Sequence, residues 1–150
     1  CTTKCFRLTE LFNQASSFNQ DISSWDVSNV TNMEYMFFDA TSFNQDLSAW
    51  DVSNVTDMSE MFSKASSFNQ DISSWDVSNV TTMNNMFDSS SFNQDLSAWD
   101  VGNVTNMSAM FADATSFNQD LSAWDVSNVL YFGSFDNGTP QWILPKPNFN

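Results

Sequence analysis

The sequence contains no histidine, and this absence removes most of the chemistry that an enzyme could use. Its many serines lack the imidazole base of a nucleophilic relay, and no Cys/His set is present for zinc. Glycine occurs only at Gly102, Gly133 and Gly138, so a glycine-rich phosphate-binding loop is also missing. The carboxylates recur in every copy of a repeat, whereas acid–base catalysis needs one asymmetric set. The sequence therefore predicts a protein that is not an enzyme.

Positive charge is also scarce. The 150 residues include four Lys or Arg and eighteen Asp or Glu, which gives a net charge of −14. Such a chain repels nucleic-acid phosphates and anionic lipid, so neither is an expected partner. No run of 18 apolar residues occurs, so the sequence predicts no membrane-spanning helix and no membrane insertion.

Cysteine is limited to Cys1 and Cys5, ahead of the first repeat. The pair could simply belong to an N-terminal cap. It could form a Cys1–Cys5 disulfide, because one helical turn brings two residues near the required Cα distance. Cys1 could instead carry a lipid, as in mature bacterial lipoproteins. The last two interpretations favour a location outside the cytosol.

What the sequence has instead is one stretch that occurs five times. Residues 18–31, Phe-Asn-Gln-Asp-Ile-Ser-Ser-Trp-Asp-Val-Ser-Asn-Val-Thr, return almost unchanged from Phe43, Phe68, Phe92 and Phe117. The period of 25 residues, with one step of 24, is typical of stacked repeats that pack on their neighbours. Apolar residues make up 41% of the chain and aromatic residues 15%, enough for a core. The recurring tryptophans are Trp25, Trp50, Trp75, Trp99 and Trp124.

Within one repeat, the apolar spacing predicts a strand followed by a helix. Trp25 and Val27 alternate with polar residues, as in a strand with one buried face. From Val30 the apolar spacing becomes that of a helical stripe, and Thr31 with Glu34 has the spacing of a capping box. The predicted stripe consists of Val30, Met33, Met36, Phe37 and Ala40.

Stacked repeats place identical side chains above one another. We therefore expect Trp, Val, Met and Phe rows in the core, and hydrogen-bonded Asn and Gln rows at the corners. The fourth repeat is one residue short, because Phe87 and Phe92 are five positions apart whereas Phe37 and Phe43 are six apart. We expect the missing residue to correspond to Ala40 and its effect to stay local.

The chain is expected to form a single domain over residues 1–150. Residues 1–17 are predicted to be an N-terminal cap or partial repeat, because their apolar spacing matches the helical stripe. Residues 18–129 contain the repeats. Residues 130–150 lose the Met-Phe pattern and gain proline, and they are predicted to be a C-terminal cap. Trp142, Ile143 and Leu144 are expected to cover the last core row.

Two rows of aspartates form the main candidate site. One Asp, in what we call the corner row, precedes each predicted strand, and another, in the flanking row, follows each Trp and points away from the core. Strands lie about 4.8 Å apart, where two carboxylates repel by about 1 kcal/mol in water. The corner row is Asp21, Asp46, Asp71, Asp95 and Asp120; the flanking row is Asp26, Asp51, Asp76, Asp100 and Asp125.

Three interpretations of these rows are open. The carboxylates could accept hydrogen bonds from turn amides and serine hydroxyls. Either row could hold calcium, which prefers oxygen ligands. The rows could also form an acidic stripe that attracts a basic partner. The candidate binding surface includes the flanking row with Ser24, Ser28, Ser53 and Ser78, and it lacks the exposed aromatic anchors of typical hot spots.

The repeat Trp-Asp-Val-Ser-Asn-Val-Thr-Asn-Met-x-x-Met-Phe-x-x-Ala-x-x-Phe-Asn-Gln-Asp resembles the bacterial surface protein 26-residue repeat, and it is similar to BspA-like leucine-rich repeats, over residues 6–132. The resemblance implies an α/β fold, a leucine-rich-repeat-like β/α solenoid. Each repeat would contribute one short parallel strand and one short helix, with a cap at each end. The resemblance also implies an exported or surface-attached protein with a role in adhesion or recognition, and it supplies no catalytic residues.

The sequence-based hypothesis is therefore a non-enzymatic module, secreted or at the cell surface, that binds a protein or glycan through an acidic strand face. One alternative is a structural spacer within a larger surface protein. Another is a calcium-dependent binding module. No cofactor other than calcium is expected, and the oligomeric state is left open.

Overall fold

The computed structural model describes residues 6–149, and none of these residues lies in an α-helix or in a β-strand longer than a single bridge. The chain instead runs through successive coils of tight turns that lie one above another. Each coil forms one isolated parallel β-bridge with the next coil. The bridged residues, called the bridge row below, are Arg7, Asn32, Asp57, Thr82, Asn106 and Tyr131.

The predicted strand at Trp25 and Val27 is wrong, because two tight turns occupy this stretch. The Trp25 amide donates to the Ile22 carbonyl at 3.1 Å, and the Val30 amide donates to the Val27 carbonyl at 2.8 Å. Each turn follows an aspartate whose side chain accepts a hydrogen bond from the amide two residues later. Such Asx turns compete with strand pairing, so the alternation of buried residues survives without a strand.

The predicted helix is also wrong. Between Met33 and Ala40 every second amide closes a four-residue β-turn, and the Met36 amide donates to the Met33 carbonyl at 3.2 Å. A helix would bond the remaining amides to the carbonyl four residues back. Here they donate to the next repeat instead, as the Tyr35 amide does to the Ser59 carbonyl at 3.0 Å. The same pairing joins Met33 to Asp57, Phe37 to Met61 and Asp39 to Ser63.

A left-handed backbone conformation at two positions per repeat explains why the pattern resembled a helix. Tyr35 and Asp39 have φ values of 57° and 54°, as at the third residue of a type II turn. The alternation turns Met33, Met36 and Phe37 inward with helix-like spacing. A non-glycine residue in this conformation costs about 1–2 kcal/mol, which the hydrogen bonds between repeats offset. The counterparts are Glu10, Gln14, Glu60, Lys64, Asn85, Ser89, Ala109, Asp113, Ser134 and Gly138.

These findings overturn the α/β fold class. The described residues do not form a leucine-rich-repeat-like β/α solenoid, since neither a strand nor a helix occurs in any repeat. The physical reason is that turns with alternating backbone handedness bury the same side chains as a strand–helix unit would. Because residues 6–149 contain no helix, none is long and apolar enough to span a membrane.

The stacking of identical core residues is confirmed. The rings of Phe37 and Phe62 lie 5.5 Å apart and are parallel within 2°, and Phe62 stacks in turn on Phe87 at 5.9 Å. A second phenylalanine row runs alongside, with Phe37 and Phe43 4.1 Å apart. The tryptophan row is buried except at its first member, Trp25, which is 39% exposed.

The polar rows expected at the corners are also present. The Asn19 Oδ1 accepts from the Asn44 amide at 2.9 Å, and the Asn44 Oδ1 accepts from the Asn69 amide at 3.0 Å. The Gln70 side chain donates to the Asn44 carbonyl at 3.1 Å. These bonds satisfy loop amides that would otherwise be unpaired in the stack.

The shortened fourth repeat keeps its core, so the expected local adjustment is confirmed. Phe87 and Phe92 lie 4.2 Å apart, close to the 4.1 Å of Phe37 and Phe43. The expected site of the deletion is wrong, because Ser90 takes the place of Ala40 and its amide donates to the Phe87 carbonyl. The missing residue belongs to the polar pair that follows.

At the C-terminal end, the bridge from Asn106 to Tyr131 adds a further coil. Trp142 covers the last core row, 4.7 Å from Phe117 in an edge-on arrangement. Ile143 and Leu144, expected beside it, are 82% and 40% exposed, so that part of the expectation is wrong. The suggested Cys1–Cys5 disulfide lies outside the described residues.

Candidate functional site: two aspartate rows

In the flanking row, each carboxylate is fixed by its own turn. The Asp26 Oδ1 accepts from the Ser28 amide at 3.1 Å and from the Ser28 hydroxyl at 2.6 Å. Asp51 and Asp76 make the same pair of bonds with Ser53 and Ser78. Asp100 accepts from the Gly102 amide, and Asp125 from the Ser127 amide.

The corner row is built in the same way. The Asp46 Oδ1 accepts from the Ser48 amide at 2.8 Å, and the Asp21 Oδ1 accepts from the Ser23 amide at 2.9 Å. The corresponding pairs are Asp71 with Ser73, Asp95 with Ser97 and Asp120 with Ser122. Both rows are exposed. The rows therefore present carboxylates at regular intervals along the stack.

Hydrogen bonds favour the ionised form of these carboxylates. The hydroxyl and amide of Ser28 lower the pKa of Asp26 below its ordinary value. The amide and hydroxyl of Ser48 lower the pKa of Asp46, while burial and its row neighbours Asp21 and Asp71 act in the opposite direction. Asp21 and Asp71 therefore repel the Asp46 carboxylate.

The structure brings most of the predicted site residues into these turns. Ser28, Ser53 and Ser78 each donate to an aspartate of the flanking row, so the hydrogen bonds expected from hydroxyls and amides are present. Ser24 is exposed and precedes Trp25 in the chain. Whether the rows bind a partner stays a prediction.

Calcium would require a group of converging oxygens, typically six to eight at 2.3–2.6 Å. Within residues 6–149, no group of three or more Asp, Glu, His or Cys side chains is placed to hold a metal ion. Each row contributes one Asp per repeat, with one carboxylate oxygen already bonded within the turn. Calcium binding at either row stays a prediction.

Sequence reasoning missed a second surface, which lies on the turns that replace the predicted helix. We call it the turn face; it comprises residues 7–14, 32–39, 57–64, 82–89 and 106–113. The Tyr35 hydroxyl donates to Glu60 at 2.6 Å, and the Tyr35 and Phe38 rings lie 5.5 Å apart. The Lys64 ammonium lies 5.0 Å from the centre of the Phe38 ring. One feature of the sequence could have revealed the turn face: the residues at the positions of Tyr35, Phe38 and Asp39 differ from one repeat to the next.

Electrostatic effects on the turn face are strong. The hydrogen bond to Glu60 raises the pKa of Tyr35 to about 12, with burial as a further cause. Burial, followed by repulsion from Asp57, Glu10 and Glu60, raises the pKa of Glu34. Carboxylates of neighbouring repeats therefore act on one another across this surface.

Comparison with known proteins identifies the family. Residues 2–91 and 71–139 each match the model of a family described as "Mycoplasma protein of unknown function, DUF285". The chain belongs to this family. No curated protein and no solved structure matches the chain. Membership of DUF285 is compatible with the resemblance to bacterial surface repeats, and it assigns no activity.

Proposed function

We propose that this DUF285 chain is a non-enzymatic recognition module that binds a protein or glycan partner through its aspartate rows. The observation that carries the proposal is the repetition of one exposed carboxylate arrangement, fixed by Ser or Gly, at every turn of the stack. A partner with cationic or hydroxyl groups at matching intervals could contact several turns at once.

The rows suit a role in attracting such a partner. Asp26 and Asp76 are ionised at neutral pH, and the hydroxyl and amide of Ser28 and Ser78 lower the pKa of each further. A surface whose charges all have the same sign raises the association rate of an oppositely charged partner and makes that rate sensitive to salt. The net charge of −14 adds to this attraction.

The location is part of the same proposal. The recurring Trp-Asp-Val-Ser-Asn-Val-Thr stretch resembles BspA-like bacterial surface repeats, and the DUF285 match is compatible with a surface repeat family. We therefore propose that the module acts outside the cytosol, at the cell surface or as a secreted protein. A structural spacer is the competing function.

The test begins with a protein and glycan array screened with the folded chain, followed by kinetics on the best binder. The variant combines Asp51→Asn, Asp76→Asn and Asp100→Asn. Asparagine keeps an Oδ1 acceptor for the turn amide, so the turns should persist while three negative charges are lost. We expect a lower association rate and a weaker dependence of that rate on salt.

The matched control combines Asp39→Asn, Asp88→Asn and Asp113→Asn, which removes the same charge from the turn face. If the rows have a specific role, the row variant slows association more than the control does. An equal or larger effect of the control would show that the charges of the rows have no special part in association and would overturn the role of the rows. No binder on either array would support the spacer instead.

A further inference from the structure

The differences between repeats are concentrated on the turn face. Outside it, the repeats share Phe-Asn-Gln-Asp and Trp-Asp-Val with little change, and within it the inward Met and Phe residues also recur. The residues at three further positions of each turn do not recur. In the next three repeats, the position of Tyr35 is occupied by Glu60, Asn85 and Ala109. The position of Phe38 is occupied by Ser63, Asp88 and Ala112. The position of Asp39 is occupied by Lys64, Ser89 and Asp113.

The fold does not dictate the residues at these positions. Tyr35, Glu60, Asn85 and Ala109 share the same left-handed backbone conformation, with φ between 53° and 57°, although their side chains have nothing in common. Glycine or asparagine would suit that conformation best. The recurring core follows from stacking, whereas the turn face carries a different chemical surface at each level. Stacking alone gives no reason for this difference.

One part of the turn face resembles a binding hot spot. Tyr35 and Phe38 are half-buried aromatic side chains, held in place by Glu60 and Lys64 of the next repeat. Aromatic residues fixed in this way contribute large contact area at low entropic cost, and they are enriched among residues that dominate binding energy. In the next repeat the Phe38 position is Ser63, so this anchor occurs at one level of the stack.

The charge of the turn face indicates the chemistry of its partner. Seven carboxylates face two cations, Arg7 and Lys64, so its net charge is two minus seven, or −5. Burial raises the pKa of Glu34, and repulsion from Asp57, Glu10 and Glu60 raises it further. A lysine or arginine side chain from a partner would relieve that repulsion and pair with them. The carboxylates are Glu10, Glu34, Asp39, Asp57, Glu60, Asp88 and Asp113.

We propose that the turn face sets the partner specificity of this module, that Tyr35, Phe38 and Glu60 form its anchor, and that its partner is a basic protein segment. This inference rests on the proposed recognition function, but it involves other residues and another kinetic step. The aspartate rows govern association, whereas the anchor governs dissociation.

The test uses a random-peptide display library selected on the full folded chain. Selected peptides should be rich in Lys and Arg. Tyr35→Ala should weaken their binding about tenfold or more through faster dissociation. The matched control is Asn85→Ala, at the same turn position two repeats later, and it should leave dissociation unchanged. A second variant, Phe38→Ser, installs the residue that the next repeat carries there, so the fold should accept it.

The results separate this inference from the proposed function. Peptides without basic enrichment, or unchanged dissociation in both Tyr35→Ala and Phe38→Ser, would overturn the role of the turn face. Binding of array glycans without selection of any peptide would also overturn the choice of a protein partner. If the row variant alone slows association while these variants leave dissociation unchanged, the proposed function stands and the inference fails.

Discussion

The indole N–H of Trp75 donates a 3.0 Å hydrogen bond to the backbone carbonyl of Leu47, which belongs to the preceding repeat. Trp75 is also buried in the core. One side chain therefore packs the interior and satisfies a carbonyl of its neighbour. The same bond joins Trp50 to Ile22, Trp99 to Ile72 and Trp124 to Leu96.

Trp75→Phe tests this linkage. Phenylalanine keeps an aromatic ring but removes the indole donor, so the Leu47 carbonyl retains only its 3.0 Å bond from the Trp50 amide. Loss of one such bond costs about 0.5–1.5 kcal/mol before any loss of packing. Urea denaturation should show this decrease in the free energy of unfolding. Trp25→Phe, at the half-exposed first position, is the control and should cost clearly less. Equal losses at the two positions would contradict the proposed linkage.

Gly138 marks a position where the left-handed turn does require glycine. Its φ is 74°, and a Cβ there would lie 2.0 Å from the Asp113 Oδ1. Gly138→Ala should therefore destabilise the chain by about 1–2 kcal/mol. Gly133→Ala is the control, since a Cβ at Gly133 meets no atom within 4 Å. Thermal denaturation of the two variants would show the difference, and identical melting temperatures would argue against this local geometry.

The corner row should make stability depend on pH in acid. The folded-state pKa of Asp46 is lowered by its bonds to Ser48, so its contribution is present above the unfolded value of about 3.9. That contribution is lost as the pH falls through the folded-state pKa. Asp46→Asn keeps an acceptor but cannot titrate. The stability difference between wild type and Asp46→Asn should therefore shrink as the pH falls below about 4.

Urea denaturation across this pH range measures that difference. Asp46→Ala, which removes the acceptor for the Ser48 amide, should be less stable than Asp46→Asn at neutral pH. If the difference in free energy of unfolding between wild type and Asp46→Asn stays constant with pH, the carboxylate charge does not stabilise the turn.

Tyr35 offers a direct probe of the contact between repeats on the turn face. Its bond to Glu60 raises its pKa to about 12, so Glu60→Gln should move the pKa toward the ordinary value of about 10. The stability from this bond is fully present below about pH 10 and is lost as the pH rises toward 12. Absorbance titration in a Tyr131→Phe background isolates Tyr35, because the chain has two tyrosines. An unchanged titration would contradict the contact.

The core could be predicted from the sequence because the period alone places like residues together. Phe37 above Phe62 and Asn19 beside Asn44 follow from the 25-residue repeat. The backbone path could not be predicted. Turns with a left-handed residue at Tyr35 bury Met33 and Met36 as a helix would, and tyrosine at that position gives no turn signal.

Only the part of the candidate site that depends on residues close together in the sequence could be predicted. An aspartate two residues before a serine is a local signal, so the bonds of Asp26 and Asp51 could be expected. The turn-face cluster depends on side chains one repeat apart, and an assumed helix hid this relationship. Tyr35 and Glu60 contact each other only because their turns lie in register.

The most direct test of the stacked-turn fold is NMR measurement of scalar couplings through hydrogen bonds. The Phe62 amide is bonded at 3.0 Å to the carbonyl of Met86 in the next repeat. We expect a coupling between these two groups. A coupling from the Phe62 amide to the carbonyl of Met58, four residues earlier, would show an α-helix and contradict the fold described here.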